Sequence, residues 1–437
     1  MKKAPSPIVS LIPIIVLVLL LFATIRTFGS DALSGGSQVS LLTTTAICIL
    51  IGMVFYKIPW KDYELAITNN IAGVATAIII LLIIGALSGI WMISGVVPTL
   101  IYYGMQIIHP SFFLASTCII CALISVMTGS SWTTIATIGI ALMGIGKAQG
   151  FEDGWIAGAI ISGAYFGDKI SPLSETTILA SSITDTPLFR HIRYMMITTV
   201  PSLVITLIIF TVAGFSHDAN NTQHIAEVAT ALNEKFHITP WLLIVPVATG
   251  ILIAKKVPSI VTLFLSTLLA AVFALIFQPD LLEEISGIAA SGFDSLFKGL
   301  MMTIYGETNL HTDNAVLTDL IATRGMSGMM NTIWLILCAM CFGGAMTASG
   351  MVGSITSIFV RFMKKTVSVV SATVCSGLFL NLTTADQYIS IILTGNMFRD
   401  IYAKKGYESC LLSRTTEDAV TVTSVLIPWN SCGMTQA

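Results

Sequence analysis

Apolar runs separated by short polar segments make up most of this 437-residue chain. A helix needs about 20 mainly apolar residues to cross a bilayer, and some of the runs reach that length while others fall short. The pattern predicts an all-α polytopic membrane protein with roughly 11–13 transmembrane or half-spanning helices. The first run, Ile8–Thr24, is expected to be an uncleaved transmembrane helix rather than a signal peptide.

Composition and charge support this class and exclude others. Hydrophobic residues make up 55% of the chain and charged residues 10%, compared with about 25% charged in soluble domains. The net charge of −2 does not suggest nucleic-acid binding, so the expected surroundings are the lipid bilayer. Basic residues such as Lys2 and Lys3 predict a cytoplasmic N-terminus. The eight cysteines lie in apolar runs and are predicted to be small buried residues.

Two regions match when the sequence is shifted by 256 residues, which carries Pro172 onto Pro428. The same shift places "TGSSWTTIATIG", from Thr128, over "TADQYISIILTG", from Thr384. The matches favour Thr, Gly and Pro, which mark irregular backbone, and they therefore indicate an internal repeat. Repeats with corresponding Gly- or Pro-interrupted segments are typical of secondary transporters.

Each predicted repeat contains two polar breaks in its apolar pattern. The first break is rich in hydroxyl groups, as in "TGSSWTT" and "NLTTADQY", and the second surrounds the matched proline, as in "GDKISPLSETT" and "EDAVTVTSVLIPWNS". Proline removes a backbone donor, so the helix must unwind locally, and at membrane depth this is tolerated only inside protein or beside water. We therefore expect two repeated units with interrupted helices and re-entrant hairpins, whose hydroxyls and carbonyls suit a small cation.

Acidic residues within these breaks are the candidate ion carriers. Asp168 and Glu175 lie on either side of the first proline, whereas Asp386 lies in the first break of repeat two and Asp418 precedes the second proline. A carboxylate inside a membrane is costly and usually marks an ion pathway. Burial favours the protonated form of a carboxyl group, which can then exchange its proton for a metal cation.

Structural roles are the alternatives for some of these residues. Asp168 and Lys169 can form an ion pair that only fixes the turn. Glu417 and Asp418, which follow Arg414, can cap the N-terminus of a helix.

The segment "GAYFGDKISPLSETTILASSITDTPLFRHIRYMMITTVPS" resembles the signature stretch of the NhaC family of Na⁺/H⁺ antiporters, within the wider ion-transporter superfamily. The segments "RGMSGMMNTIWLILCAMCFGGAM" and "EDAVTVTSVLIPWNSCG" are also similar to this family, and the resemblance runs from about residue 71 to the end. It implies a secondary transporter of the inner (cytoplasmic) membrane that is coupled to a cation. The family also includes malate–lactate exchangers coupled to Na⁺ and H⁺, so the resemblance leaves the substrate open.

The leading interpretation is antiport of Na⁺, or of Li⁺, against H⁺ by alternating access, without enzymatic activity and without a cofactor. The alternative is exchange of small carboxylates such as malate and lactate, with Lys169 or Arg414 binding the anion. We expect Na⁺ at Asp168, Glu175 and Asp386. An intramembrane aspartyl protease is disfavoured, because Tyr165 stands where the GxGD motif of those proteases has its first glycine.

The predicted site residues form two groups. The predicted cation- and proton-binding residues are Asp168, Glu175, Ser171, Ser174, Thr176, Thr177, Asp386 and Asp418. The second-tier candidates are Lys169, Glu417, Thr128, Ser130, Asn430, Glu307 and Asp313. A plain polar loop would also explain Glu307 and Asp313.

Four regions are expected along the chain. Residues 1–110 form N-terminal transmembrane helices, 111–216 form transport repeat one with the GDKISPLSETT motif, 217–330 combine a polar loop, transmembrane helices and a second polar segment, and 331–437 form transport repeat two. In the register of the repeat Ala437 corresponds to Ser181, which predicts a C-terminally truncated repeat two with an incomplete site. A homo-oligomer is compatible with this pattern, as is a monomer.

Overall fold

The computed structural model describes residues 5–216, 222–255, 257–288, 292–308, 310, 312, 318, 321–355 and 366–436. All regular structure within these ranges is helical, which confirms the predicted all-α class. The first half of the chain contains α1 Pro7–Phe28, α2 Gly36–Tyr56, α3 Trp60–Gly73, α4 Ala75–Ile93, α5 Val96–Ile107, α6 Phe113–Thr128, α7 Ser131–Thr134, α8 Ile140–Ala148, α9 Asp153–Ile170, α10 Glu175–Ile183 and α11 Leu188–Ser216. The second half contains α12 Thr222–Lys235, α13 Ile244–Ala254, α14 Ser259–Phe277, α15 Pro279–Ser286, α16 Phe293–Tyr305, α17 Gly325–Gly328, α18 Met330–Ala348, α19 Thr366–Thr384, α20 Gln387–Lys404, α21 Ser409–Ser424 and α22 Ser431–Gln436.

Several described helices are long and apolar enough to cross a membrane. Eight meet this test alone, and a ninth is added if the pair Glu227–Lys235 and Pro240–Ala254, bent by 91°, is one span. The eight are Pro7–Phe28, Gly36–Tyr56, Ala75–Ile93, Pro110–Thr128, Leu188–Ser216, Ser259–Phe277, Gly325–Ala348 and Val367–Thr384. Large apolar side chains on α11, such as Ile197 and Ile208, are exposed and suit contact with lipid. The chain is a multi-pass membrane protein. Of the helices next to the predicted breaks, α6 and α19 belong to these spans, whereas α9, α20 and α21 do not meet the test.

The chain divides into two compact units, and each is made from separate stretches of sequence. The first unit comprises Met1–Ile78, Glu175–Met195 and Asn331–Ala437, and the second comprises Ile79–Ser174 and Met196–Met330. The division falls inside the GDKISPLSETT motif, between Ser174 and Glu175.

The unit built from Ile79–Ser174 and Met196–Met330 has a large apolar core. The indole N–H of Trp91 donates to Ser266 Oγ at 3.1 Å inside this core, so the one polar atom of a large buried side chain has a partner. Repeat one lies here as far as Ser174: α6 packs against α9, and a π-helical stretch, Ile135–Gly139, joins α7 to α8.

The other unit contains repeat two. Here α19, α20 and α21 pack on one another, with Val369, Phe398, Tyr402 and Leu412 in their shared apolar cluster. The short helix α10, which belongs to repeat one by sequence, packs against α20 and α21 of this unit.

Close approach between α6 and α9 depends on two glycines of α9. A Cβ atom built on Gly163 would overlap the backbone carbonyl of Cys118, and one on Gly167 would overlap that of Ala122. The two glycines are four residues apart and face one side of the helix, the spacing at which small residues let membrane helices pack closely. Backbone contact therefore fixes the distance between these helices.

We expect Gly163→Val to lower the stability of the protein and Gly154→Val, in the same helix, to leave it nearly unchanged. A side chain at 163 meets backbone and costs about 1–3 kcal/mol through overpacking. At 154 an added Cβ has no atom within 4 Å, so this variant controls for the helix propensity of valine. Thermal unfolding of the detergent-purified variants measures the difference, and equal stability of the two variants would contradict this account.

Candidate functional site

The first break of each repeat has the same backbone conformation in both copies. Gly129 follows the end of α6 with φ +68°, and Ala385, its counterpart in the predicted register, follows α19 with φ +57°. The next helix of each copy begins with a capped turn: Ser130 accepts from the backbone N–H of Thr133, and Asp386 accepts from that of Ile389. The left-handed residue therefore turns the chain so that a polar side chain stands at the start of the following helix.

The second break of each repeat also repeats its hydrogen bonds. Ser171 N–H donates to Asp168 O at 3.1 Å, and the corresponding N–H of Ile427 donates to Ser424 O at 3.3 Å. One turn later, Ser174 N–H donates to Ser171 O, and the counterpart Asn430 N–H donates to Ile427 O. Both helices thus end in tight turns at the matched prolines, which lack the N–H needed to continue them.

Side chains hold the two breaks of each copy together through backbone carbonyls. Ser125 Oγ donates to Ala164 O at 2.6 Å, and in repeat two Asn381 Nδ2 donates to Val420 O at 2.7 Å. These donors and acceptors occupy matching positions at the 256-residue shift, which carries Ser125 onto Asn381. The local geometry within each copy therefore agrees with the register that the sequence predicts.

A second carbonyl is held in both copies, although by different donors. In repeat one the carbonyl of Val126 accepts from Ser171 Oγ at 2.8 Å. In repeat two the matching carbonyl, that of Leu382, accepts from the indole Nε1 of Trp429 at 2.8 Å. The acceptor is retained while the donor changes, which indicates that satisfying this carbonyl is the common requirement.

We define site one as Ser130, Ser131 and Asp168. The side-chain hydroxyl and backbone N–H of Ser131 donate to Asp168 Oδ2 at 2.7 and 3.1 Å. Asp168 is buried, and Ser131 is the first residue of α7, so the carboxylate faces a helix N-terminus. Peptide N–H groups and the helix dipole at this end stabilise a negative charge.

Hydroxyl groups surround the start of this helix. Thr128 Oγ1 donates to Ser130 O at 3.2 Å and lies 3.3 Å from Thr134 Oγ1, while Thr133 Oγ1 donates to Ser130 Oγ at 3.1 Å. Each hydroxyl retains acceptor lone pairs while it donates, so this first break is rich in oxygen that can serve a cation.

We define site two as Asp386, Gln387, Ser424 and Ser431. Asp386 Oδ1 accepts from the backbone N–H of Ile389 at 2.9 Å, and its Oδ2 accepts from Ser431 Oγ at 3.1 Å. Ser424 Oγ donates to Gln387 Oε1 at 3.1 Å. Asp386 is buried at the N-terminus of α20, so this carboxylate also faces the positive end of a helix.

Hydroxyls close to Asp386 repeat the arrangement near site one. Thr384 Oγ1 donates to Asp386 O at 3.1 Å and lies 2.9 Å from Ser390 Oγ. These two residues are the counterparts of Thr128 and Thr134, whose hydroxyls lie 3.3 Å apart. Both first breaks therefore carry a matched pair of hydroxyls.

The predicted residues of the GDKISPLSETT motif fall in both units. Ser171 and Ser174 belong to the unit of site one and are buried, whereas Thr176 and Thr177, also buried, lie in the first turn of α10 in the other unit. Glu175 is the first residue of α10, and its exposed carboxylate accepts from Tyr388 OH at 3.0 Å. Asp168 and Glu175 are thus assigned to different units.

Glu417 and Asp418 lie in the third turn of α21, which begins at Ser409. The alternative role for them, capping a helix N-terminus, is therefore wrong, because the helix starts well before them. Asp418 Oδ2 lies 4.0 Å from Nε of Arg414, and the guanidinium of Arg414 also sits over the ring of Tyr194, 4.7 Å from its centroid. Glu417 is fully buried in the same turn.

The other second-tier candidates have varied surroundings. Glu307 is exposed, and its Oε1 lies 3.6 Å from Nε of Arg324, as expected for a residue in a polar surface segment. Asn430 is buried and donates to the carbonyl of Asn381 at 3.2 Å, so it supports the first break of repeat two. Lys169 is buried in the last turn of α9, next to Asp168. Asp313 lies outside the described residues.

Sequence reasoning missed Ser131, Tyr388 and Ser431, which donate to Asp168, Glu175 and Asp386. It also missed the hydrogen-bonded pair Gln387 and Ser424 of site two. The 256-residue shift held a signal for two of them, since it places Ser424 over Asp168 and Gln387 over Ser131. The shift could not reveal the hydrogen bonds Ser131–Asp168 and Ser424–Gln387, because neutral Ser and Gln side chains do not stand out in a hydroxyl-rich sequence.

We expect Gly129→Ala to lower stability and Ala385→Gly to be neutral or stabilising. A left-handed residue with a Cβ costs about 1 kcal/mol or more relative to glycine. At Gly129 an added Cβ would also lie 2.6 Å from the carbonyl carbon of Leu173. Thermal unfolding of the purified variants measures both effects, and a Gly129→Ala protein as stable as wild type would contradict the assigned turn.

The profile of the Na⁺/H⁺ antiporter family matches residues 163–437. The chain is 35% identical over 394 residues to the Na⁺/H⁺ antiporter NhaC of Bacillus subtilis (strain 168), which covers 90% of this chain and 84% of the relative. It is 36% identical over 402 residues to the malate-2H⁺/Na⁺-lactate antiporter of the same organism, covering 92% and 82%. It is 31% identical over 440 residues to the arginine/ornithine antiporter ArcD of Halobacterium salinarum, covering 100% and 87%.

The family match covers more than half of the chain, and the similarity to these relatives extends over nearly all of it. The family match includes both breaks of repeat two and the second break of repeat one. It therefore covers the carboxylates of both sites, Asp168 and Asp386. The chain therefore belongs to the Na⁺/H⁺ antiporter family, the family of the NhaC antiporters.

Proposed function

We propose that this protein exchanges Na⁺, or Li⁺, for H⁺ across the cytoplasmic membrane by alternating access. The observation that carries the proposal is the pair of buried carboxylates, Asp168 and Asp386, each held at a helix N-terminus beside a break in a membrane segment. The family match and the name of the NhaC relative support the choice of ions. Na⁺ and H⁺ are the proposed substrates, and no cofactor is required.

In each site the carboxylate alternates between a proton and a sodium ion. Burial favours the protonated form of a carboxyl group, whereas N–H and hydroxyl donors favour the ionised form. A group under both influences can release its proton when a cation arrives. The hydroxyls of Ser131 and Ser431, which donate to these carboxylates, can rotate and offer lone pairs to the ion instead.

Competition for the same oxygens then couples the two fluxes. A protonated carboxyl group offers less charge to Na⁺, and a bound Na⁺ displaces the proton, so one transported ion excludes the other. The predicted oxygen donors Ser171, Ser174, Thr176 and Thr177, together with the carboxylates of Glu175 and Asp418, are proposed to serve the ion along its route. Interrupted helices of this kind supply exposed carbonyls and half-helix ends for ions in secondary transporters.

We expect Asp168→Asn and Asp386→Asn each to lower the initial rate of Na⁺-driven proton flux at least tenfold, which corresponds to about 1.4 kcal/mol or more of lost interaction free energy. Asparagine keeps the size of the side chain but can neither release a proton nor neutralise Na⁺. Proteoliposomes that contain the purified protein and an internal pH-sensitive dye measure the flux after addition of NaCl or LiCl. Glu307→Gln is the matched control, because Glu307 is exposed and paired with Arg324. Full flux in the Asp168→Asn protein would overturn the proposal.

A second candidate is Na⁺- and H⁺-coupled exchange of small organic acids. The specific support is the similarity to the malate-2H⁺/Na⁺-lactate antiporter and the presence of a buried cation, Lys169, next to Asp168. In this version Lys169 or Arg414 binds the substrate carboxylate.

Uptake of labelled malate and lactate separates the two candidates. Proteoliposomes preloaded with unlabelled lactate should accumulate no labelled malate, with or without a Na⁺ gradient, if the protein exchanges only Na⁺ and H⁺. Accumulation that requires the Na⁺ gradient and is lost in Lys169→Gln would establish the organic-acid candidate instead.

A further inference from the structure

The two sites use matching positions for different chemical groups. Site one has a serine, Ser130, at the cap of the helix after the first break and its carboxylate, Asp168, at the end of α9, the long helix that leads into the second break. Site two has its carboxylate, Asp386, at the cap and a serine, Ser424, at the end of the long helix. The acid has therefore changed position between the copies, and each site as defined holds one carboxylate.

The cap position is structurally equivalent in the two copies. Ser130 Oγ accepts from Thr133 N–H at 3.2 Å, and Asp386 Oδ1 accepts from Ile389 N–H at 2.9 Å. Serine and aspartate are both good capping residues, so an exchange between them leaves the helix start satisfied.

The other position is equivalent too. Ser131 Oγ donates to Asp168 Oδ2 at 2.7 Å in site one, while Ser424 Oγ donates to Gln387 Oε1 at 3.1 Å in site two. All four residues are buried, and in both pairs a hydrogen bond joins the first helical residue after the break to the end of the long helix. The Gln387–Ser424 pair is thus the uncharged counterpart, at matching positions, of the Ser131–Asp168 pair.

We infer that sites one and two are two monovalent-cation sites of one kind, each requiring one carboxylate that either position can supply. Gln387 and Ser424 are then positioning residues of site two. The inference rests on the proposed exchange of Na⁺ for H⁺. One buried negative charge matches one Na⁺ or one H⁺, whereas two carboxylates in one buried site would not ionise together.

Moving the acid within site two tests this inference. Asp386→Ser alone should lower Na⁺-driven proton flux at least tenfold. Adding Ser424→Asp and Gln387→Ser to that variant rebuilds the arrangement of site one and should restore at least a third of the wild-type rate. Asp386→Ser with Thr421→Asp is the control, because Thr421 is buried one turn earlier in the same helix, and an acid there should restore nothing.

A mirror variant repeats the test in site one, so that poor folding of one variant does not decide the outcome. Asp168→Ser should be inactive, and adding Ser130→Asp and Ser131→Gln should restore flux. Binding of radioactive Na⁺ to the purified protein gives a readout that a merely structural role would not change: stoichiometry should fall by half in each single variant and recover in each relocated one.

The outcomes separate the inference from the proposed function. If Asp386→Ser keeps full flux, the proposed function fails, and the inference fails with it. If the single variants are inactive but both relocated proteins, monodisperse in detergent, regain neither flux nor bound Na⁺, the inference alone is overturned. Recovery in the Thr421→Asp control would also overturn it, since any nearby acid would then suffice.

Discussion

Backbone groups freed by a broken helix within a membrane have no water to satisfy them, and this constraint shapes both repeats. The carbonyls of Val126 and Leu382, in the last turns of α6 and α19, each receive a side-chain hydrogen bond from the second break of the same repeat. An unsatisfied carbonyl in this setting costs several kcal/mol. These hydrogen bonds satisfy the backbone around the breaks, which we call the framework, and oxygen-rich sites can therefore exist next to it.

The framework also explains why the two copies tolerate different chemistry at their centres. The backbone turns are fixed by a left-handed residue and by proline, and neither feature depends on which side chain carries the charge. The cap carries serine in one copy and aspartate in the other, and the end of the long helix carries aspartate in one and serine in the other, with the same backbone turns in both. In the proposed function, a small number of side chains on this repeated scaffold carry the ions.

Much of this organisation could be predicted from the sequence, because apolar runs and the shift that matches Pro172 with Pro428 can be read from the sequence directly. The all-α class and the positions of the breaks followed from polar residues in apolar runs, and the same pattern selected Asp168 and Asp386 as candidates. Contacts between distant segments could not be predicted in this way. Nothing in the local sequence indicates that Ser431 donates to Asp386, or that Glu417 and Asp418 lie inside a helix rather than at its start.

The placement of α10 has a consequence for biogenesis. This short helix packs against α20 and α21, and its first residue, Glu175, is bonded to Tyr388, which lies 213 residues further along the chain. At typical translation rates the partner emerges about 10–40 s after α10 has left the ribosome. During that interval α10, which is too short to span a bilayer, lacks these packing partners. The order of synthesis therefore makes this segment dependent on protection by the insertion machinery until its partners are made.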